Sequence, residues 1–353
     1  MSRRSDLLIF SALIALALSG CSAKLLHYEN SDQVLKVDEF DQKVEIKEGP
    51  VEPPPEPEIK EVEGSAAKAD KKQVPPPPKK SAKDKKKKGP EKKEAKAPKM
   101  EKRKPELEDS VGFEGRRPIK DPFRVGEKVE FDVSYFNIVA GSMGVEVKPF
   151  AEVNGQKAYH FEVTARTNSF FSRVYKVEDR AVTYLDYENL VPLNLQISIK
   201  ESKQLAETRT FFDWEKMKGS YWQKRITEDK GEQNKKIEWD LLPYSQNVIS
   251  AAYYMRVFQW EVGKKFAFRV ADEGKNIIFK GEVLRREELD TPVGKIKTIV
   301  VKPVVTVDGA FKPVGDMLMW MTDDDRKILV RMEAKIKIGT IVAKLKSLEK
   351  GRD

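Results

Sequence analysis

Apolar and aromatic side chains are concentrated in one part of this chain. Residues 22 to about 110 contain few apolar side chains and almost no aromatic ring after Phe40, whereas all five tryptophans of the 353 residues lie beyond residue 113. A stretch with so little apolar area to bury cannot offset the entropy that it would lose on ordering. We therefore predict a disordered tether over residues 21–110 and one folded domain over residues 111–353.

The predicted tether is rich in proline, and its charges are segregated. Residues 53–55 and 75–78 are uninterrupted proline, which continues neither a helix nor a central strand. From Glu29 to Glu63 there are 12 acidic and 4 basic residues, whereas from Lys68 to Lys104 there are 17 basic and 5 acidic residues. The basic block is predicted either to bind an anionic envelope polymer such as peptidoglycan or to be a solvated spacer. Nucleic acid is not an expected partner, because no basic patch is interleaved with aromatic residues.

The first twenty residues have the pattern of a secretory leader. Two arginines precede an apolar run that is too short to span a bilayer, and small residues follow it. The ending Leu18-Ser19-Gly20-Cys21 resembles the bacterial lipobox, so cleavage is expected between Gly20 and Cys21, with a lipid on the cysteine. Cys21 is the only cysteine of the chain, so no intrachain disulfide is expected. Ser22, where some lipoproteins carry a retaining aspartate, favours the outer membrane, facing the periplasm.

Beyond residue 113 the sequence alternates with a period of two. Three examples run from Val129 to Tyr135, from Tyr159 to Val163 and from Leu193 to Ile199. Such runs of β-branched and aromatic residues are typical of strands with one buried face. Turn dipeptides separate them at Asn154-Gly155, Glu273-Gly274 and Asp308-Gly309. We predict a mainly β domain, with a large antiparallel sheet that curls into a half-barrel or folds into a β-sandwich or roll.

One segment departs from this alternation and predicts a single main α-helix. From Ser245 to Trp260 the apolar spacing is helical, with no glycine or proline, and Ser245 is the expected N-cap. The helix is expected to cover the apolar lining of the curled sheet.

Several short motifs, in order, resemble a bacterial envelope family called domain of unknown function 3108. The resemblance covers most of residues 120–348 and rests on the stretches Phe123 to Lys128, Ala140 to Gly144, Ser172 to Asp179, Tyr253 to Arg256, Leu318 to Asp324 and Ile338 to Ile341. It implies an exported, β-rich domain, and it lends no catalytic residues because the family has no assigned activity.

Groups suited to catalysis are scarce in the predicted domain. His160 is its only histidine, and the alternation predicts that it faces away from Tyr159 and Phe161, at a surface or rim. One histidine without a cysteine excludes a His/Cys zinc site, so no metal or cofactor is expected. Asp323-Asp324-Asp325 is interpreted as a polar hairpin loop in preference to a calcium or acid/base site. We predict that the protein is not an enzyme.

A small set of residues is predicted to contact a ligand. Arginines in apolar surroundings need an anionic or carbonyl partner, which is either a ligand headgroup or a carboxylate of the domain. Aromatic residues of the domain either line a pocket or belong to the core. The candidates are Tyr135, Phe136, Tyr254, Arg256, Trp320 and Arg331.

Three functions remain open from the sequence. The first is a non-enzymatic envelope lipoprotein whose curled sheet holds a lipid or glycan in an apolar hollow, far from its membrane anchor. The second is a structural or assembly protein that docks on an envelope partner while its basic tether lies in the cell wall. The third is a cell-wall or polysaccharide hydrolase, which requires two carboxylates across a cleft.

Overall fold

The computed structural model describes residues 36–49, 113–114, 117–118, 120–307, 310–311, 317–336 and 338–352. The predicted leader, the cleavage site, Cys21 and most of the predicted tether lie outside the described residues. The strands are β1 Ile46–Glu48, β2 Phe113–Glu114, β3 Arg117–Pro118, β4 Glu127–Tyr135, β5 Ile138–Val153, β6 Gln156–Thr167, β7 Glu178–Asp186, β8 Pro192–Glu201, β9 Gln204–Asp213, β10 Lys218–Thr227, β11 Gly231–Asp240, β12 Lys265–Asp272, β13 Lys275–Thr291, β14 Gly294–Val307, β15 Ala310–Phe311, β16 Met317–Thr322, β17 Leu329–Lys335 and β18 Thr340–Lys350. The α-helices are α1 Asp38–Asp41 and α2 Val248–Tyr254.

All strands except β2 and β3 belong to one antiparallel sheet. Its order is β11-β10-β9-β8-β7-β6-β5-β4-β18-β17-β16-β14-β13-β12, with β1 beside β5 and β15 beside β14. The sheet curls until strands β10 and β11 approach the β12–β13 hairpin through side chains. Asn276 Nδ2 of β13 donates to the Asp240 carbonyl of β11 at 2.9 Å, and Tyr221 Oη of β10 lies 3.2 Å from Oε1 of Glu273 in the hairpin turn. The prediction of a large curled sheet with one main helix is confirmed.

The predicted turns that lie in the described residues are also confirmed. Asn154 and Gly155 join β5 to β6, and Glu273 and Gly274 join β12 to β13, all with positive φ. Positive φ at both central residues matches the twist of the flanking strands, which explains a glycine at the second position. Asp308-Gly309 lies outside the described residues.

Helix α2 is shorter than the predicted helix from Ser245 to Trp260. Gln246 is held in a parallel bridge with β12, where its amide donates to the Arg269 carbonyl at 2.8 Å, so the helix cannot begin before residue 247. Asn247, and not Ser245, is the N-cap, and it forms a capping box with Ser250. After a 3₁₀ turn the chain becomes extended at Phe258. Neither described helix is long and apolar enough to cross a membrane.

A second apolar cluster lies on the outer face of the sheet and corrects the prediction for the tether. Val37, Phe40 and Val44 pack against outward-facing residues of β5 to β8 and β10, and the Phe40 ring meets the Trp222 ring edge-on at 6.3 Å. Strand β1 then pairs with the free end of β5, with Ile46 opposite Val153. Residues 36–49 are therefore part of the folded domain, and we call them the clasp.

His160 is buried and not at a surface or rim, because the clasp covers it. The alternation predicts the correct face of β6, since His160 points away from the main core, and its ring stacks on Tyr184 at 4.7 Å. Burial lowers the pKa of the imidazole, although Glu48 of β1 lies 4.0 Å from Nε2 and opposes this shift. A buried, neutral imidazole under an apolar cover has the character of a packing residue.

Candidate functional site

The inner face of the curled sheet is filled by the protein's own side chains. Phe161 of β6 stacks on Tyr253 of α2 with ring centroids 3.7 Å apart, and Phe123 packs edge-on against Phe161 at 5.2 Å. At the far side of the helix, Tyr254 and Phe268 meet at 5.3 Å. The apolar hollow predicted for a lipid or glycan is thus occupied by core residues in the part of the chain that the structure describes.

Arg256 follows α2 and is engaged inside the domain. Both of its terminal nitrogens bind the Glu127 carboxylate, at 2.6 and 2.8 Å, and its Nε donates to the Arg326 carbonyl at 2.8 Å. Arg256 is 4% exposed and Glu127 is 2% exposed. A bidentate pair of this kind satisfies both charges, so the internal carboxylate, and not a ligand headgroup, is the partner of Arg256.

The other predicted ligand residues do not form one site. Tyr254 is fully buried in the core. Trp320 and Arg331 are neighbours on the outer face, where the guanidinium lies 5.1 Å from the ring centroid, but the indole N–H donates to Glu287 and Arg331 pairs with Glu333. Tyr135 and Phe136 lie together at one end of the sheet, with ring centroids 4.4 Å apart.

A shallow groove of about 250 Å³ lies on the outer face beside Arg331. The hairpin of β13 and β14 crosses this face, so Pro292 at its tip lines the groove together with Asn137 and Val139. The groove is smaller than the roughly 300–1,000 Å³ of typical ligand pockets.

A larger and more polar groove, of about 510 Å³, lies where the clasp meets β6 to β9. Lys36, Arg166, Glu178 and Asp179 are among its lining residues. Burial, and next the negative charge of the adjacent Glu201, raise the pKa of the Asp179 carboxyl to about 7. Glu201 accepts hydrogen bonds from Tyr175 Oη at 2.6 Å and from Gln204 Nε2 at 2.7 Å, so this carboxylate is engaged inside the domain.

The raised pKa of Asp179 predicts a pH-dependent stability. Because the folded-state pKa is raised, the stability contributed by the neutral carboxyl is present at low pH and is lost as the pH rises to 7. Asp179→Asn is therefore expected to raise the free energy of unfolding relative to the wild type by an amount that grows from pH 4 to 7 and reaches about 2–4 kcal/mol. Urea unfolding at several pH values measures it. Asp213→Asn, which removes a carboxylate bound to Lys216, is the control and should not stabilise; equal effects of both variants would contradict the prediction.

The three consecutive aspartates after β16 each have a separate structural role. Asp324 Oδ1 accepts from the Arg326 and Lys327 amides, both at 3.0 Å. Asp323 pairs with Arg286 and Asp325 with Lys120. The interpretation as a polar hairpin loop is confirmed.

One end of the sheet carries a concentration of exposed apolar side chains, which we call the apolar rim. It is built from the β4–β5 turn, the β6–β7 connection and the β17–β18 connection, and these are joined by hydrogen bonds from Tyr135 Oη to the Ile338 carbonyl and from Asn168 Nδ2 to the Val139 carbonyl, both 2.7 Å. The rim consists of Phe136 (61% exposed), Ile138 (58%), Val139 (44%), Phe170 (69%), Val174 (63%) and Ile338 (62%).

The backbone under the rim is strained at Phe136. Phe136 has φ 48° and Asn137 has φ 61°, the left-handed region that favours glycine and asparagine. A phenylalanine held there gains no compensating burial, because most of its ring is exposed. Gly339, at φ +83°, lies under that ring, since a Cβ there would stand 3.2 Å from Phe136 Cζ. Phe136 and Asn137 are the two central residues of the β4–β5 hairpin turn, where positive φ matches the twist of the flanking strands.

The clasp enters the domain near the apolar rim. Lys36 shares the polar groove with Arg166 and Glu178, which form the last paired rung of β6 and β7 before the connection that carries Phe170 and Val174. The chain segment that leads back to Cys21 therefore leaves the domain at this end.

The segment after the clasp both leaves and returns at the opposite end of β6 and β7. Glu48 accepts from Tyr184 Oη at 2.5 Å on the outer face. Arg117 donates to the Tyr187 carbonyl and, at 2.9 Å, bonds Tyr159 Oη on the inner face. The stretch between Glu48 and Arg117, which includes the basic block, is thus fixed to the domain at both ends.

The functional features that sequence reasoning missed are the clasp and the rim. A signal for the clasp was present in β7, where Ala181, Val182, Tyr184 and Leu185 are apolar on both faces of one strand, which requires a cover on each side. The rim residues look like ordinary strand and turn residues in the sequence, and only the curl of the sheet brings them together.

The fold is a β-rich domain built on one curled antiparallel sheet, and comparison with known proteins identifies the family. The profile described as "Protein of unknown function (DUF3108)" matches residues 130–346, so the chain belongs to this family. No curated protein matches this chain.

Among solved structures, the chain is similar to a β-barrel-like DUF1849 protein from Brucella abortus, with 13% identity, a TM-score of 0.41 and coverage of 64% of this chain and 98% of that one. It is also similar to "a putative lipoprotein" from Parabacteroides distasonis, with 11% identity, a TM-score of 0.30 and coverage of 64% and 95%. These distant likenesses carry no argument about function.

Proposed function

We propose that this protein is a non-enzymatic bracket of the bacterial envelope. A lipid on Cys21 anchors it to a membrane, taken to be the outer membrane facing the periplasm, and the basic stretch from Lys68 to Lys104 binds an anionic envelope polymer such as peptidoglycan. This replaces the lipid or glycan carrier expected from the sequence, because the inner face of the sheet is filled.

The observation that carries the proposal is the docking of the clasp. With Lys36 held on the sheet, roughly 15 residues separate the lipid site from the domain, a reach of at most about 50 Å. The domain is therefore kept close to the membrane that holds its anchor. The basic block belongs to a different stretch, whose attachment points at Glu48 and Arg117 lie at the end of β6 and β7 away from the apolar rim.

Charge supports the polymer as the partner of the basic stretch. It contains 17 basic and only 5 acidic residues. Clustered lysines attract polyanions over about a Debye length. Acidic residues of the clasp are paired with lysines of the clasp or of the sheet, for example Asp38 with Lys36 at 3.2 Å and Glu39 with Lys236 at 2.5 Å.

The proposal predicts salt-sensitive binding to isolated peptidoglycan. Replacing the four lysines at 85–88 by glutamine is expected to weaken cosedimentation of the chain from residue 21 onward at least about tenfold at low ionic strength, because each lysine near an anionic surface contributes about 1 kcal/mol. The control replaces four exposed lysines of the domain by glutamine: Lys120, Lys216, Lys218 and Lys295. Equal retention of the two variants, or binding that is unchanged at high salt, would contradict the proposal.

A further inference from the structure

We propose that the apolar rim inserts into the lipid bilayer next to the anchor, so that the domain lies on the membrane in a defined orientation. This inference rests on the proposed anchoring at Cys21 and adds a second membrane contact made by the folded domain itself.

The first argument is the concentration of exposed apolar area. Six of the ten large apolar residues that the described surface exposes belong to the rim, and they come from three separate connections brought to one end of the sheet. Scattered exposed apolar residues need no explanation, but a contiguous group indicates a contact surface. The backbone of Phe136 has positive φ and holds the ring at the tip of the β4–β5 turn, where 61% of the side chain stays exposed.

The second argument is the route of the chain. The segment between Cys21 and Lys36 reaches the domain beside Arg166 and Glu178, at the end of β6 and β7 that carries the rim. At its fullest extension it spans about 50 Å, and any less extended conformation brings the rim closer to the membrane surface. A second contact formed next to an existing anchor is favoured by the high effective concentration.

The third argument is the charge of the three connections. Residues 136–139, 168–176 and 336–339 contain Arg173, Lys176 and Lys337 and no acidic residue. The nearest carboxylates are Glu178, which pairs with Lys176 at 2.8 Å, and Asp290, which lines the groove beside Val139. Basic residues around apolar side chains match the anionic headgroups and acyl boundary of a bilayer, as in interfacial membrane-binding segments. A lipid surface therefore fits the rim better than a neutral or acidic protein face does.

The test uses the chain from residue 21 onward with C21S, which removes the lipid and leaves no cysteine. Flotation with phosphatidylcholine vesicles measures the apolar contribution without attraction of the basic block, and vesicles with added phosphatidylglycerol measure both. The double variant Phe136→Asp, Phe170→Asp is expected to lower vesicle partitioning about tenfold. Aspartate tolerates positive φ better than phenylalanine does, so the variant keeps the fold, which circular dichroism checks.

The matched control is Leu242→Asp, Val262→Asp, which adds the same charge at exposed apolar positions (39% and 51%) outside the rim. An environment-sensitive dye on Ile338→Cys should shift to an apolar signal with vesicles, whereas the same dye on Val262→Cys should not. Equal partitioning of the two double variants, or a dye at position 338 that stays in water on bound vesicles, would overturn the inference. Neither result touches the proposed function, which peptidoglycan binding tests separately.

Discussion

Arg256→Met is expected to lower the free energy of unfolding by about 3–5 kcal/mol, one of the two largest effects of a single substitution in this domain. The substitution removes the bidentate partner of Glu127 and leaves a carboxylate that is 2% exposed. Arg326 also reaches Glu127, at 2.6 Å, and holds part of that charge, so a value near the lower bound is expected. Urea unfolding measures the change.

Two further variants make this prediction specific. Arg331→Met, at a half-buried arginine paired with Glu333 on the outer face, should cost less than about 1 kcal/mol. Glu127→Met together with Arg256→Met should cost less than the sum of the single changes, because the double variant leaves no uncompensated charge. A small effect of Arg256→Met, or strict additivity, would show that the buried pair does not stabilise the fold as described.

Phe40→Ala is expected to release the clasp from the outer face of the sheet. Truncating a buried phenylalanine costs about 3–5 kcal/mol, and the clasp has few other apolar contacts, mainly those of Val37 and Val44. Since the main core does not depend on it, global unfolding should change little while the clasp opens. Arg117 would then be the first residue after Cys21 that is fixed to the domain. The connection to the lipid site would be much longer, and the domain would no longer be kept close to the membrane.

Hydrogen exchange and limited trypsin digestion measure this release in the full chain. The β1 amides paired with β5 should lose protection, and cleavage should appear after Lys43 and Lys47. Phe170→Ala makes the same chemical change at a side chain that is 69% exposed, and it should leave both signals as in the wild type. A protected clasp in Phe40→Ala would show that Phe40 is not what holds it.

Several errors of sequence interpretation have one physical origin. Alternation reports which side chains share a face of a strand, but not what lies against that face. His160 was placed on the correct face, yet a segment more than a hundred residues away in sequence buries it. The start of α2 was missed for a similar reason: the bridge from Gln246 to Val270 is a long-range contact that overrides local helical spacing.

The same limit applies to the residues of the candidate site, because their partners lie far away in the sequence. The sequence allows an internal carboxylate partner for Arg256 and a core position for Tyr254, but the partner Glu127 lies 129 residues away from Arg256 and no local pattern identifies it. The clasp was hidden by composition, because Val37, Phe40 and Val44 are too few to signal folding within an acidic, proline-bordered stretch. Three apolar residues hold a segment in place only where the folded sheet already exposes an apolar surface to them.

Local chemistry alone decided the strands with their period of two and the glycine turns, because each depends on residues within a few positions of one another. The curl of the sheet decided the rest. By curling, the sheet enclosed aromatic rings on its inner face, left an apolar strip on its outer face for the clasp and gathered three distant connections into one rim. These outcomes depend on contacts between residues far apart in the chain, and only the tertiary structure specifies them.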